Sequence, residues 1–164
     1  MDFIQLGIGR WLHILSGVMW IGLLYYFNFV QVPALADAGK DNTGAGITKH
    51  VAPRALFWFR WGAVATWLLG AMLLGSGFFK AFLFTDRAFY AIGIGAWLGT
   101  IMFFNVWVLI WPNQKKILGM VQASDAEKTR ARRVAFIASR TNTMLSIPMI
   151  FFMAASGHQG IFFS

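Results

Sequence analysis

The chain has 164 residues and a formal net charge of +8; hydrophobic residues make up 58% of it and charged residues 12%. A soluble domain carries about 25% charged residues, so this composition is typical of a membrane protein. The sequence contains no cysteine, which excludes disulfides, thiolate metal sites and a covalently attached c-type haem. Its basic residues lie between apolar segments, a distribution that favours membrane topology over nucleic-acid binding.

Four apolar segments are long enough to cross a bilayer, which takes about 20 residues. We therefore predict an all-α integral membrane protein, a four-transmembrane-helix bundle surrounded by lipid and forming a single membrane domain over residues 1–164. A capping-box pattern, Ser124 followed by Glu127, predicts that the fourth helix begins in water. Gly95 and Gly99 form a GxxxG pair that predicts close helix packing. The apolar segments span residues 4–32, 55–79, 88–112 and 134–157.

The basic residues also predict an orientation. Eleven of them lie in the first and third loops and the adjoining helix ends, against three on the opposite side. Positive charge stays on the cytoplasmic side of a membrane. We therefore expect a multi-pass protein of the bacterial inner membrane, with both termini outside (periplasmic) and a charged cytoplasmic loop before the fourth helix.

The first apolar segment contains an ionisable residue, His13. Such a residue inside a membrane span is a functional-site hypothesis by default, and a neutral imidazole is the usual axial ligand of a b-type haem. We therefore predict that His13 is a metal ligand in a haem b site. His158, at the outer end of the fourth span, is a candidate second ligand, although its depth differs. The alternative for His13 is an interhelical hydrogen bond to a serine, a threonine or a backbone carbonyl.

Two arginines are candidates for contacts with the cofactor or with an anion. Arg10 lies one helical turn from His13, where it would pair with a haem propionate or an anionic substrate. Arg60, in the segment FWFRWG, has the same interpretation. The alternative for both is an arginine that extends its charge to the membrane interface. No acidic residue lies inside a span, which disfavours a proton-coupled permease.

Three segments are similar to one known family: LHILSGVMWIGLLYYFNFVQVPA, ALFWFRWGAVATWLLG and MFFNVWVLIWPNQKK. Over residues 8–118 the chain resembles the membrane portion of the bacterial membrane-bound urate hydroxylase (alternative urate oxidase) family, and the fourth span fits less well. The resemblance implies an inner-membrane redox protein linked to purine oxidation. His13 and Arg60 lie in the matching motifs of the first and second spans. A fainter likeness, the L-H-x-x-x-x-x-x-W pattern of the first span, is to the four-helix haem-dependent protoporphyrinogen oxidases and implies haem at His13.

The chain differs from full-length members of that family, which resemble an eight-span domain followed by a cytochrome c domain. We therefore expect electrons to pass to a separate cytochrome c or a quinone. Four helices are few to enclose a cofactor, so a homo-oligomer or a larger membrane complex is expected. The sequence leaves open whether the chain is itself an oxidoreductase. The alternative is a non-catalytic accessory or structural subunit of a larger respiratory or photosynthetic complex.

Overall fold

The fold is a bundle of four long helices. The computed structural model describes residues 4–158, and these contain no strand. Each helix is long and apolar enough to cross a membrane, which confirms the predicted all-helical architecture with four spans. The single domain over residues 1–164 and the orientation of the termini stay predictions. The helices are α1 (Leu6–Ala38), α2 (Ile47–Leu83), α3 (Arg87–Ile117) and α4 (Asp125–Ala155).

Helix α4 contains Pro148 within its regular α-helix, and the other three helices also continue through a proline instead of ending there. A proline ring lacks an N–H and collides with the carbonyl four residues earlier. In each of the other three helices a π-helical segment lies just before the proline, and the amide before the proline donates to the carbonyl five residues back. The wider turn moves the colliding carbonyl aside. The π-helical segments are Tyr26–Gln31, Ile47–Val51 and Asn105–Ile110, and the prolines are Pro33, Pro53 and Pro112.

The four helices form two close pairs. Helix α1 packs most extensively on α2, and α3 on α4. In the first pair, a Cβ added to Gly62 would lie 3.4 Å from the backbone nitrogen of Trp20. In the second pair, a Cβ added to Gly95 would lie 3.3 Å from Met153. Small residues therefore allow the backbones within each pair to approach closely.

The two pairs meet along α2 and α3 through large aromatic side chains. The rings of Trp67 and Phe103 are stacked with their centroids 5.9 Å apart, and those of Trp61 and Trp107 lie 5.8 Å apart. On α3 the two rings, Phe103 and Trp107, are four residues apart and so lie on one helix face. We call this line of contacts the aromatic seam. It fills the wider space between the backbones of the two pairs.

The loop between α2 and α3 begins at a break in α2. The regular helix ends at Leu74, because Gly75 takes a positive φ of 48°, and a short helix, Phe78–Leu83, follows. Gly93 of α3 packs against that short helix, where an added Cβ would collide with the backbone oxygen of Ala81. By contrast, a Cβ added to Gly99 would meet no atom of the described residues within 4 Å. The closest approach is therefore at Gly93, and the predicted contact at Gly99 is not seen.

The start of α4 agrees with the capping-box prediction. The Ser124 side chain accepts a hydrogen bond from the Glu127 amide, and the Glu127 carboxylate accepts one from the Ser124 amide. Two amides that a helix start would leave without a partner are thus satisfied. Helix α4 accordingly begins at Asp125. The start of α4 lies at the same end of the bundle as the start of α2 and the last residues of α1 and α3. We call this the basic end, because it carries Lys49, Arg54, Lys115, Lys116, Arg130, Arg132 and Arg133.

Candidate functional site

His13 lies half-buried on α1 and faces α2. Its Nδ1 is 2.9 Å from the backbone oxygen of Thr66. A carbonyl oxygen only accepts hydrogen bonds, so Nδ1 carries the proton and donates it, and Nε2 is left as the acceptor. The imidazole packs on Gly70, where an added Cβ would lie 3.0 Å from Cε1. The interhelical hydrogen bond that the sequence left as an alternative is therefore present, and Nε2 keeps its lone pair.

With this tautomer, Nε2 of His13 would be the ring atom available to hold a haem iron. Histidines that bind metals usually donate their other ring N–H to a carbonyl or a carboxylate, which fixes the tautomer and the ring orientation. The described residues contain no group of three or more potential metal-binding side chains. His50 and Met19 also have an atom that could bind iron, but both side chains are exposed. His50 lies at the basic end, and Met19 is 38% exposed on the outer surface of α1. The side chain of His158 lies outside the described part, so its role as a second ligand stays a prediction.

The structure does not bring the two candidate arginines to one place. Arg10 is exposed on α1, one turn from His13. Arg60 is half-buried, and its guanidinium carbon lies 3.5 Å from the ring centroid of Trp111 on α3. Six residues separate Arg60 from Thr66, or about 9 Å along α2 towards the basic end. Arg10 is therefore the arginine beside His13, and Arg60 belongs to the aromatic seam.

A second polar feature, buried in the bundle, is built around α4. Asn142 is fully buried, its Oδ1 accepts a hydrogen bond from Asn105 Nδ2 at 2.8 Å, and its own Nδ2 donates to the Met102 carbonyl at 3.0 Å. On the side facing α1, Ser146 bonds to the Tyr25 hydroxyl at 2.8 Å. The Asn28 amide donates to Ser139 Oγ at 2.8 Å. Helix α4 is thus hydrogen-bonded to both α1 and α3.

The sequence pointed to only part of this network. Asn105 and Asn142 can be identified in the sequence as polar residues inside apolar segments, but their mutual bond depends on how α3 and α4 are rotated. The spacing of the α4 residues is the signal that was missed, because positions three, four and seven apart share one helix face. Amides and hydroxyls fix helix register without carrying charge. The residues on that face are Ser139, Asn142, Thr143 and Ser146.

A double-mutant cycle measures the strength of the bond between α3 and α4. We expect Asn105→Leu and Asn142→Leu to couple by about 1 kcal/mol in unfolding free energy, between the average of about 0.6 and the maximum of about 1.7 kcal/mol for such bonds in membranes. The measurement is reversible unfolding in detergent followed by circular dichroism. Asn113→Leu is the control, because among the described residues the Asn113 amide donates to the Leu109 carbonyl of its own helix and to no other helix. If the coupling energy between Asn142 and Asn113 were as large as that between Asn142 and Asn105, the assigned bond between Asn105 and Asn142 would be wrong.

Comparison with known protein families bears on the identity of the chain. The sequence model of the urate oxidase N-terminal family matches residues 75–164, more than half of the chain. The chain belongs to the urate oxidase N-terminal family. No curated protein and no solved structure gives a match. The family match extends from the break in α2 through α3 and α4, and so includes the fourth span, where the resemblance had been weakest.

The part shared with the urate oxidase N-terminal family contains few of the predicted site residues. His158 lies inside residues 75–164, whereas Arg10, His13 and Arg60 precede them. The match does include the buried pair Asn105 and Asn142 on α3 and α4. The resemblance over residues 75–118 agrees with the family match, and over residues 8–74 it stays an expectation.

Proposed function

We propose that this member of the urate oxidase N-terminal family is a redox protein of the bacterial inner membrane that acts in urate oxidation. The observation that carries the proposal is the family match over residues 75–164. The four membrane-length helices support a multi-pass location. Oxidation of urate releases an electron pair, which we assign to a separate cytochrome or a quinone as acceptor. We expect both termini on the periplasmic side, because the basic residues concentrate at the opposite end of the bundle.

The cofactor part of the proposal centres on His13. Its Nε2 would hold a b-type haem, which when bound supplies one-electron transfer. The Thr66 carbonyl orients the imidazole through the 2.9 Å bond to Nδ1. Arg10 is one turn away on the same helix, and neutralises a propionate or an anionic substrate. Because the described residues supply one ligand, a second would come from His158 or from another molecule in a homo-oligomer or larger complex.

The test is urate-dependent electron transfer by the whole protein. Vesicles containing the chain are given urate together with cytochrome c or a quinone, and reduction of the acceptor and loss of urate are followed optically. We expect reduction of the acceptor and loss of urate only in vesicles that contain the chain and are given urate. Vesicles without the chain, and vesicles given xanthine in place of urate, are the controls.

Absence of urate loss with every acceptor would refute the proposal. If the protein were then found to co-purify with a respiratory or photosynthetic assembly, the accessory-subunit alternative would take its place. The family match does not favour that alternative.

A further inference from the structure

Two basic side chains near the basic end share one indole and have no acidic partner. Arg60 lies over the Trp111 ring at 3.5 Å, and the Lys115 ammonium lies 5.8 Å from the centroid of the same ring. Among the side chains that the structure describes, neither cation takes part in an ion pair or a hydrogen bond. Stacking uses the flat face of the guanidinium and leaves its N–H donors available. A half-buried guanidinium without an anion is costly at membrane depth.

An apolar groove lies between α1 and α2, and its lining includes Trp61, the residue that follows Arg60 in the chain. Its volume is about 530 Å³, and it is open to the outer surface of the bundle. The groove extends along α2 from Trp58 to Leu69, a rise of about 16 Å, close to the thickness of one bilayer leaflet, about 15 Å. Its lining includes Leu12, Met19, Trp58, Trp61, Ala65 and Leu69.

The groove and the cations are connected by aromatic rings. Phe57 lies 5.8 Å from the Arg60 guanidinium carbon and contacts both Trp58 and Trp61, which line the groove. Trp61 also contacts Trp107 of α3, one turn before Trp111. The Trp107 Nε1 is buried and has no hydrogen-bond acceptor among the described residues. Arg60, Lys115 and the Trp107 N–H thus form a polar region. Trp61 connects this region to the end of the groove nearer the basic end.

We propose that this region binds one anionic phospholipid. Its phosphate pairs with Arg60 and Lys115, and one acyl chain lies in the groove between α1 and α2. Charge complementarity selects the headgroup, because Arg60 and Lys115 have no carboxylate partner among the described residues. The groove is about as long as a lipid acyl chain in the membrane leaflet at the basic end. Basic pockets between membrane helices are suited to anionic headgroups for the same electrostatic reason.

The experiment titrates the detergent-purified full chain with phosphatidylglycerol and with phosphatidylcholine, and measures bound lipid by native mass spectrometry. We expect wild-type protein to prefer phosphatidylglycerol. Arg60→Gln and Lys115→Gln should each weaken its binding about fivefold, the effect of one basic residue near an anionic surface. Arg60→Lys keeps the charge and should keep most of the binding. Ala65→Phe narrows the groove and should weaken binding of both lipids.

Lys116→Gln is the matched control, because the Lys116 ammonium lies 3.9 Å from the Glu127 carboxylate and already has a partner. It should bind phosphatidylglycerol as wild type does. Circular dichroism confirms that each variant is folded. Equal binding of the two lipids, or wild-type binding by Arg60→Gln and Lys115→Gln, would overturn the proposal. Displacement of phosphatidylglycerol by urate would also overturn it and assign the two cations to a substrate anion.

Discussion

Gly93→Ala is expected to destabilise the protein by about 3 kcal/mol, the upper part of the usual range for an overpacked site. The added methyl group would collide with the backbone oxygen of Ala81 in the short helix Phe78–Leu83. A backbone atom cannot move aside as a side chain can, so α3 and the short helix must separate. Thermal unfolding in detergent, followed by circular dichroism, measures the effect.

Gly99→Ala is the matched control for this experiment. Gly99 lies in the same helix and is also buried, but no atom of the described residues lies within 4 Å of the position of an added Cβ. Alanine is a better helix former than glycine by about 1 kcal/mol, so Gly99→Ala should unfold at the wild-type temperature or above it. If Gly99→Ala lowered the unfolding temperature as much as Gly93→Ala, the close contact with Ala81 would not be the cause of the destabilisation.

His13→Ala is expected to abolish both the b-type absorption spectrum and urate-dependent reduction of the acceptor. The reason is that Nε2 is the atom proposed to bind the haem iron, and alanine offers no ligand. The purified protein is compared in its oxidised and dithionite-reduced states, and haem is quantified as the pyridine haemochrome. The loss of haem should be complete rather than graded, since no second histidine of the described residues lies at that depth.

His50→Ala provides the control for His13→Ala. His50 is exposed at the basic end, and its replacement should leave both the spectrum and the activity at wild-type levels. A colourless wild-type protein, or a b-type spectrum that persists in His13→Ala, would remove His13 from the cofactor site. Its contact with Thr66 would then be a helix-packing contact alone.

Much of the fold could be predicted from the sequence because the membrane imposes strong and simple constraints. A span must be long, apolar and internally hydrogen-bonded, so hydropathy alone locates the four helices. The start of α4 was predictable for a local reason, since Ser124 and Glu127 are three residues apart in the chain. These features depend on residues that are close together in the chain, so the sequence alone is enough to predict them.

The features that were not predicted depend on how helices are rotated about their axes. Gly95 and Gly99 have the same sequence signal, yet only at Gly95 would an added Cβ come within 4 Å of a described residue of α4. The tightest contact, at Gly93, depends on the short helix after the break at Gly75. Likewise, Arg60 was a candidate for binding an anion, but nothing in the sequence identifies Trp111 as the ring beneath it. Rotation is set by the packing of the whole bundle and has no local signature.

The arrangement of the bundle as two close pairs has a consequence for biogenesis. Each pair consists of helices that are consecutive in the chain, so α1 and α2 can complete their interface before α3 leaves the ribosome. Pairing within each hairpin would then precede docking of the two pairs, which forms the aromatic seam together with the hydrogen bonds between α1 and α4. Association of helices already in the bilayer relies on packing rather than on removal of water. The large rings of Trp61, Trp67, Phe103 and Trp107 supply that packing at the docking step.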